Sequence, residues 1–177
     1  MTRLAAGLIP LAILATIAAG SAGASETVPR ACQLLSQPLV EGYFHSDMTK
    51  SNDNPKACQW HSRVRGLNKG ANLTLTTWAL ASNAASLFAA ACQPRKGIQQ
   101  LRLQGATKAC GSVGPTGLCL TPPKGEDPKE WCAWDVKVAF LRGATTGSIE
   151  LTSLHIFTLN NLTRGAALAR QVLAAWK

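Results

Sequence analysis

The chain has 177 residues, a formal net charge of +9, and 46% apolar against 15% charged residues. That balance excludes a disordered polyelectrolyte, and the length provides for one domain with a substantial core rather than two. Excess Lys and Arg favour anionic partners or simply keep a domain in solution. The basic residues, among them Arg63, Arg65, Lys69, Arg95, Lys96, Arg102, Lys108, Arg142, Arg164 and Arg170, form no long run and have few aromatics between them, so no nucleic-acid site is indicated.

In chain order, Met1-Thr2-Arg3 precedes an apolar run from Leu4 to Ala19 and the small-residue site Gly20-Ser21-Ala22-Gly23-Ala24. This is the charged, apolar and A-x-A order of a secretory signal, so residues 1–24 are expected to be removed after Ala24. The run is barely long enough to span a bilayer and is interrupted by Pro10, so no transmembrane anchor is expected after cleavage. A lipid anchor needs a Cys directly after the apolar run, whereas the first one here is Cys32. Residues 25–177 are then a single mature domain, periplasmic or secreted.

Ser36-Gln37-Pro38 predicts a helix start, with Ser36 as N-cap and Leu39, Val40, Tyr43 and Phe44 as its apolar face. The polar stretch His45 to Pro55 reads as an exposed loop. Cys58-Gln59-Trp60 opens a strand reaching Val64, Gly66 to Gly70 turns, and Leu73 to Trp78 alternates in the period of a half-buried strand, giving a hairpin. Ser82 or Asn83 caps a helix with Ala84, Leu87, Phe88 and Ala91 on one stripe. Ile98 to Leu103 is a short strand, and Gly105 to Asp127 a long loop pinned by Cys110 and Cys119. Val136, Val138 and Phe140 alternate, the segment Arg142 to Gly147 turns, and the apolar phase slips between Ile149/Leu151 and Leu154/Ile156, predicting a bulge near Thr152-Ser153. Asn160 or Asn161 caps a last helix in which Leu162, Ala166, Ala169, Leu173 and Trp176 align while Arg164 and Arg170 reach solvent.

These elements predict an α+β fold: an antiparallel sheet of about five strands, with two or three amphipathic helices packed on one face. The order Cys58-x-Trp60, strand, Ala-rich helix recurs as Cys132-x-Trp134, strand, Ala-rich helix, which fits either an ancient duplication or chance recurrence of a short motif. All six cysteines follow the cleavage point, and an even number in an exported chain implies disulfides. Fifteen pairings are open to six cysteines; the one adopted joins Cys32 with Cys58, Cys110 with Cys119, and Cys92 with Cys132. Zinc is the competing use, yet no C-x-x-C occurs and the histidines lack ligand spacing.

The segment Ala31-Cys32-Gln33-Leu34-Leu35, followed by Val40-Glu41 and by Cys58-Gln59-Trp60 opening a strand, resembles the "C-x-L-L … C-x-W/Y" opening of bacterial envelope domains such as the DUF3558-type lipoprotein family. Gly105 to Ala109, Phe140-Leu141-Arg142-Gly143 and the Ala-rich terminal helix fall in a similar order. The resemblance implies an envelope α+β domain with a Cys–Cys staple and carries over no active site. The chain departs from that group in lacking a lipobox Cys.

Catalytic signatures are sparse. His45, His61 and His155 are the only imidazoles, and neither G-x-S-x-G nor H-E-x-x-H occurs. His45-Ser46-Asp47 contains triad residue types, but loop neighbours seldom converge as a triad must. The glycine-rich segment Gly111 to Gly117 lacks the ending of a phosphate loop. No catalytic residue, cofactor or metal is expected.

The function expected from these features is non-enzymatic binding in the bacterial envelope, of a protein or an anionic polymer. An inhibitor or immunity protein against an exported hydrolase, and an enzyme with an unrecognised site, are the alternatives. If Leu73 and Leu75 face the helices, Trp78 projects from the other side of the sheet with Thr74 and Thr76, making these three the candidate partner-binding residues; a bulge would instead return Trp78 to the core.

Overall fold

The computed structural model describes residues 27–62, 69–94, 97–154 and 161–177. The expected signal segment, the turn expected at Gly66, the basic residues Arg63, Arg65, Arg95 and Lys96, and His155, Ile156 and Asn160 lie outside the described residues.

The elements run α1 (Ala31–Leu34), α2 (Gln37–Phe44), β1 (Met48–Asn54), β2 (Ala57–Ser62), β3 (Gly70–Thr77), α3 (Ala81–Ala91), β4 (Ile98–Leu101), β5 (Lys108–Cys119), a 3-10 turn at Pro128–Trp131, β6 (Cys132–Arg142), β7 (Thr145–Leu154) and α4 (Leu162–Ala175). The seven strands form one antiparallel sheet in the order β1-β2-β3-β7-β6-β5-β4. The fold is α+β, with two strands more than the expected five. Both additional strands come from segments expected to be loops.

The first of these is β1, whose residues after Thr49 are exposed; it pairs with β2 through backbone bonds and shifts register between Lys50 and Asn52. A polar, bulged edge strand of this kind resists adding a further strand, and it carries no apolar alternation to announce itself. Asn54 closes the hairpin by accepting from the Lys56 and Ala57 amides at 2.9 and 2.7 Å. The second is β5, running through the glycines expected to be turns. At Gly111 a Cβ would press on Leu162 and Leu101, so this glycine permits the close approach of α4 and β4 rather than a turn.

The inner face of the sheet carries Cys58, Trp60, Ala71, Leu73, Leu75, Val136, Val138, Phe140, Ile149 and Leu151, packed in one cluster with apolar residues of α1, α2 and α4. The Trp60 Nε1 donates to the Leu35 carbonyl at 2.8 Å, tying the junction between α1 and α2 to β2. Helix α4 begins at the expected cap, where the Asn161 side chain accepts from the Arg164 amide at 2.8 Å. Arg170 is exposed as expected, whereas Arg164 folds back, donating to the Tyr43 carbonyl at 2.7 Å with its guanidinium 5.0 Å from the Tyr43 ring.

Helix α3 corrects the expectation that all helices share one face. It packs on the opposite side, where Ala84, Phe88 and Cys92 meet Cys110 and Leu141 in a smaller apolar cluster. It starts after Leu80, without a side-chain cap from Ser82 or Asn83. The bulge expected near Thr152-Ser153 is also absent: β6 and β7 stay in register from Arg142↔Thr145 to Ala133↔Leu154. Ser153 occupies a fully buried position there, a polar residue where the pattern called for an apolar one.

Three disulfides form, Cys32–Cys58, Cys92–Cys110 and Cys119–Cys132. The first is the expected pair and the other two are corrections. Cys119 lies directly opposite Cys132 across the β5–β6 ladder, and Cys92 caps α3 where it rests on Cys110, so neither Cys110–Cys119 nor Cys92–Cys132 is within reach.

Candidate functional site

With α1, α2 and α4 on the inner face and only α3 on the other, much of the outer face is left uncovered among the described residues. Strand alternation dictates what it displays. On β3 the inner positions are Ala71, Leu73 and Leu75 while Asn72, Thr74 and Thr76 point outward, half-buried. Their cross-strand neighbours on β7 are Glu150, Ser148 and Thr146, so two polar rows stand side by side.

Helix α3 borders these rows and forms a groove of about 160 Å³, with Thr74, Thr76, Thr146 and Ser148 along one wall and Leu87, Phe88 and Ala91 along the other. Phe88 is buried, but Leu87, expected in the core stripe, is 47% exposed. The i, i+4, i+8 line Ala84, Phe88 and Cys92 is buried against the sheet, which leaves Leu87 as an apolar lip.

Thr74, Thr76 and Trp78 are brought to this one face. Trp78 does not stand free on it: half-buried, it packs against the α3 cluster, its Nε1 donates to Thr146 Oγ1 at 3.2 Å, and its amide donates to the Ala144 carbonyl at 2.9 Å. The indole thus forms one end of the face and fixes the edge of the hydroxyl row.

Further along the same face the strands assemble a charged cluster that inspection of the sequence missed. Lys137 Nζ lies 2.6 Å from Glu150 and 3.6 Å from Asp135, and Thr152 Oγ1 donates to Asp135 at 2.6 Å. Burial pushes the Asp135 carboxyl above the usual carboxylate range, against the pull of the Thr152 hydroxyl. Burial also raises Glu150, but hydrogen bonds with Lys137 and Asp135 outweigh it and hold Glu150 low. The Glu150 hydrogen bond, against a smaller cost of burial, holds the Lys137 ammonium above its usual range. A protonated amine between two carboxylates is a hydrogen-bond donor rather than a nucleophile. The only signal in the sequence was the i, i+2 spacing of Asp135/Lys137 and Glu150/Thr152, which has meaning only once the register Lys137↔Glu150 is known.

The two described histidines lie on different elements. His45 is the left-handed C-cap of α2 (φ 49°), and His61 is exposed on β2. Among the described residues no three His, Cys, Asp or Glu side chains gather as metal ligands, and no helix is long and apolar enough to cross a membrane.

Fold and site together define an α+β domain with a disulfide-stapled sheet and one groove-bearing open face. The chain matches no protein-family model and no curated protein.

Proposed function

We propose that the chain is an exported, non-enzymatic binding domain of the bacterial envelope that takes up a protein segment in the groove between α3 and the outer rows of β3 and β7. The observation that carries this is the groove's composition: an exposed Leu87 and the flank of Phe88 on one side, hydroxyls of Thr74, Thr76, Thr146 and Ser148 on the other. Such a groove suits an amphipathic partner that buries apolar groups against the helix while hydrogen-bonding to the sheet. Three staples keep it preformed, so little order is lost on binding. The signal-like residues 1–24 and the resemblance to DUF3558-type lipoproteins support the envelope setting.

The test is capture of envelope proteins on immobilised protein. Leu87→Asp and Ser148→Arg change exposed groove positions, so each should abolish capture and leave the melting temperature unchanged. Trp78→Ala should lower the melting temperature as well, because its ring packs against the α3 cluster. Undiminished capture of the same partners by both groove variants would refute the proposal.

A further inference from the structure

A separate cleft lies on the inner side of the sheet, at the C-terminal end of α4, away from the groove. Arg142, the last residue of β6, reaches this end. Its Nη1 donates to the Trp176 carbonyl at 2.7 Å and to the Leu173 carbonyl at 3.4 Å, and its guanidinium carbon lies 5.0 Å from the Trp176 ring. The cation thus offsets the negative end of the helix. Beside it opens a cleft of about 510 Å³ whose lining includes Gln104, Arg142, Arg170, Leu173, Ala174 and Trp176.

Two features of this cleft point to a ligand. Its lining is apolar along Leu173, Ala174 and Trp176, yet it carries two guanidinium groups and no carboxylate. Arg170 is exposed and makes no ion pair among the described residues, and a neighbouring cleft that shares Gln104 adds Arg102 and Lys108. Trp176 is only 2% exposed at the margin of the cleft, so its indole N–H serves as a reporter of this end of the helix.

We propose that this cleft binds a single-chain carboxylate amphiphile. The carboxylate pairs with the fork of Arg170, which presents two parallel donors to its two oxygens, and the acyl chain lies over the exposed Ala174, at the margin of Leu173 and Trp176. A purely apolar ligand would leave the Arg170 guanidinium without an ion-pair partner, and a small anion would leave the apolar lining wet.

The experiment uses ¹⁵N-labelled protein and follows the indole N–H signals, that of Trp176 being assigned by its loss in Trp176→Phe. Decanoate below its micelle concentration should shift the Trp176 signal saturably, whereas acetate and decanol at the same concentration should not. Arg170→Ala should weaken decanoate binding at least about tenfold, since it removes both charge-assisted hydrogen bonds of the fork. Ala174→Phe, which fills the cleft without changing its charge, should block binding, and Arg102→Ala in the neighbouring cleft should leave it intact. Positions 102, 170 and 174 are exposed, so all three variants should keep the parental melting temperature. No shift with decanoate, equal shifts with decanol, or parental affinity in Arg170→Ala would each overturn the proposal. Groove variants have no bearing on the outcome, so the two sites fail or succeed separately.

Discussion

Two helical glycines show how a neighbour decides the sign of one substitution. Gly42 in α2 has open space where a Cβ would be built, so Gly42→Ala should stabilise the protein by about 0.5–1 kcal/mol through helix propensity and reduced freedom of the unfolded chain. Gly165 in α4 sits against Val136, whose Cγ1 occupies the place of the missing Cβ. Val136 is fully buried and β-branched, with no easy rotamer to retreat into. Overpacking of about 1–3 kcal/mol should exceed the helix gain of about 1 kcal/mol, so Gly165→Ala should destabilise. Urea denaturation midpoints moving in opposite directions are the expected result; equal shifts would mean that α4 does not rest on β6 this closely. The Asp135 carboxyl, raised chiefly by burial, makes a different kind of prediction. The folded state holds this proton more tightly than the unfolded state, so stability tied to Asp135 is present at low pH and is lost as pH rises through its folded pKa. Asp135→Asn removes that loss and still accepts from Thr152. Its stability relative to the parent should therefore grow as pH rises above the unfolded carboxylate range, and vanish below that range. A difference that does not vary with pH would count against the burial argument.

What the sequence reveals differs from element to element, for physical reasons. β3, β6, β7 and α4 were legible because each buries one face and solvates the other, so their periods are written in apolar residues. β1 buries only Met48, and its remaining strand bonds belong to the backbone, which every residue type carries. β5 was obscured by Gly111, Gly114, Pro115 and Gly117, read as turns although Gly111 serves a close approach. Missing β5 carried the disulfides with it, since Cys119–Cys132 is a cross-strand pair that exists only if both flanking segments are strands. Of the candidate site, the outward direction of Thr74 and Thr76 followed from alternation alone. The placement of α3 beside them did not, because a stripe of apolar residues specifies that a helix is covered but not which face of a sheet covers it.

Seen whole, the sheet consists of two antiparallel meanders, β1-β2-β3 and β5-β6-β7, that meet where β3 pairs with β7, and β4 is added at the far edge. Cys58-x-Trp60 and Cys132-x-Trp134 open the middle strands of the two meanders, which extends the recurrence noticed in the sequence to the strands. It stops at the helices. Antiparallel neighbours such as β3 and β7 are related by an axis normal to the sheet, which would put α3 and α4 on the same face, and they lie on opposite ones.

The staples respect this division. Cys32–Cys58 lies within the first half, Cys92–Cys110 and Cys119–Cys132 within the second, and none crosses the junction of β3 with β7, where Gly70 to Thr77 pair with Thr152 to Thr145. Ala79 and Leu80 are exposed and join the halves in the chain. A protease site introduced between them should therefore give a nicked protein that still elutes as one species under native conditions, held by the eight-residue ladder and the shared core. On a denaturing gel without reductant it should separate into two bands, and a single band would mean that a covalent link joins the halves. Oxidation thus closes each half as its own loop system and leaves their union to be made and unmade reversibly, like two hands clasped rather than tied.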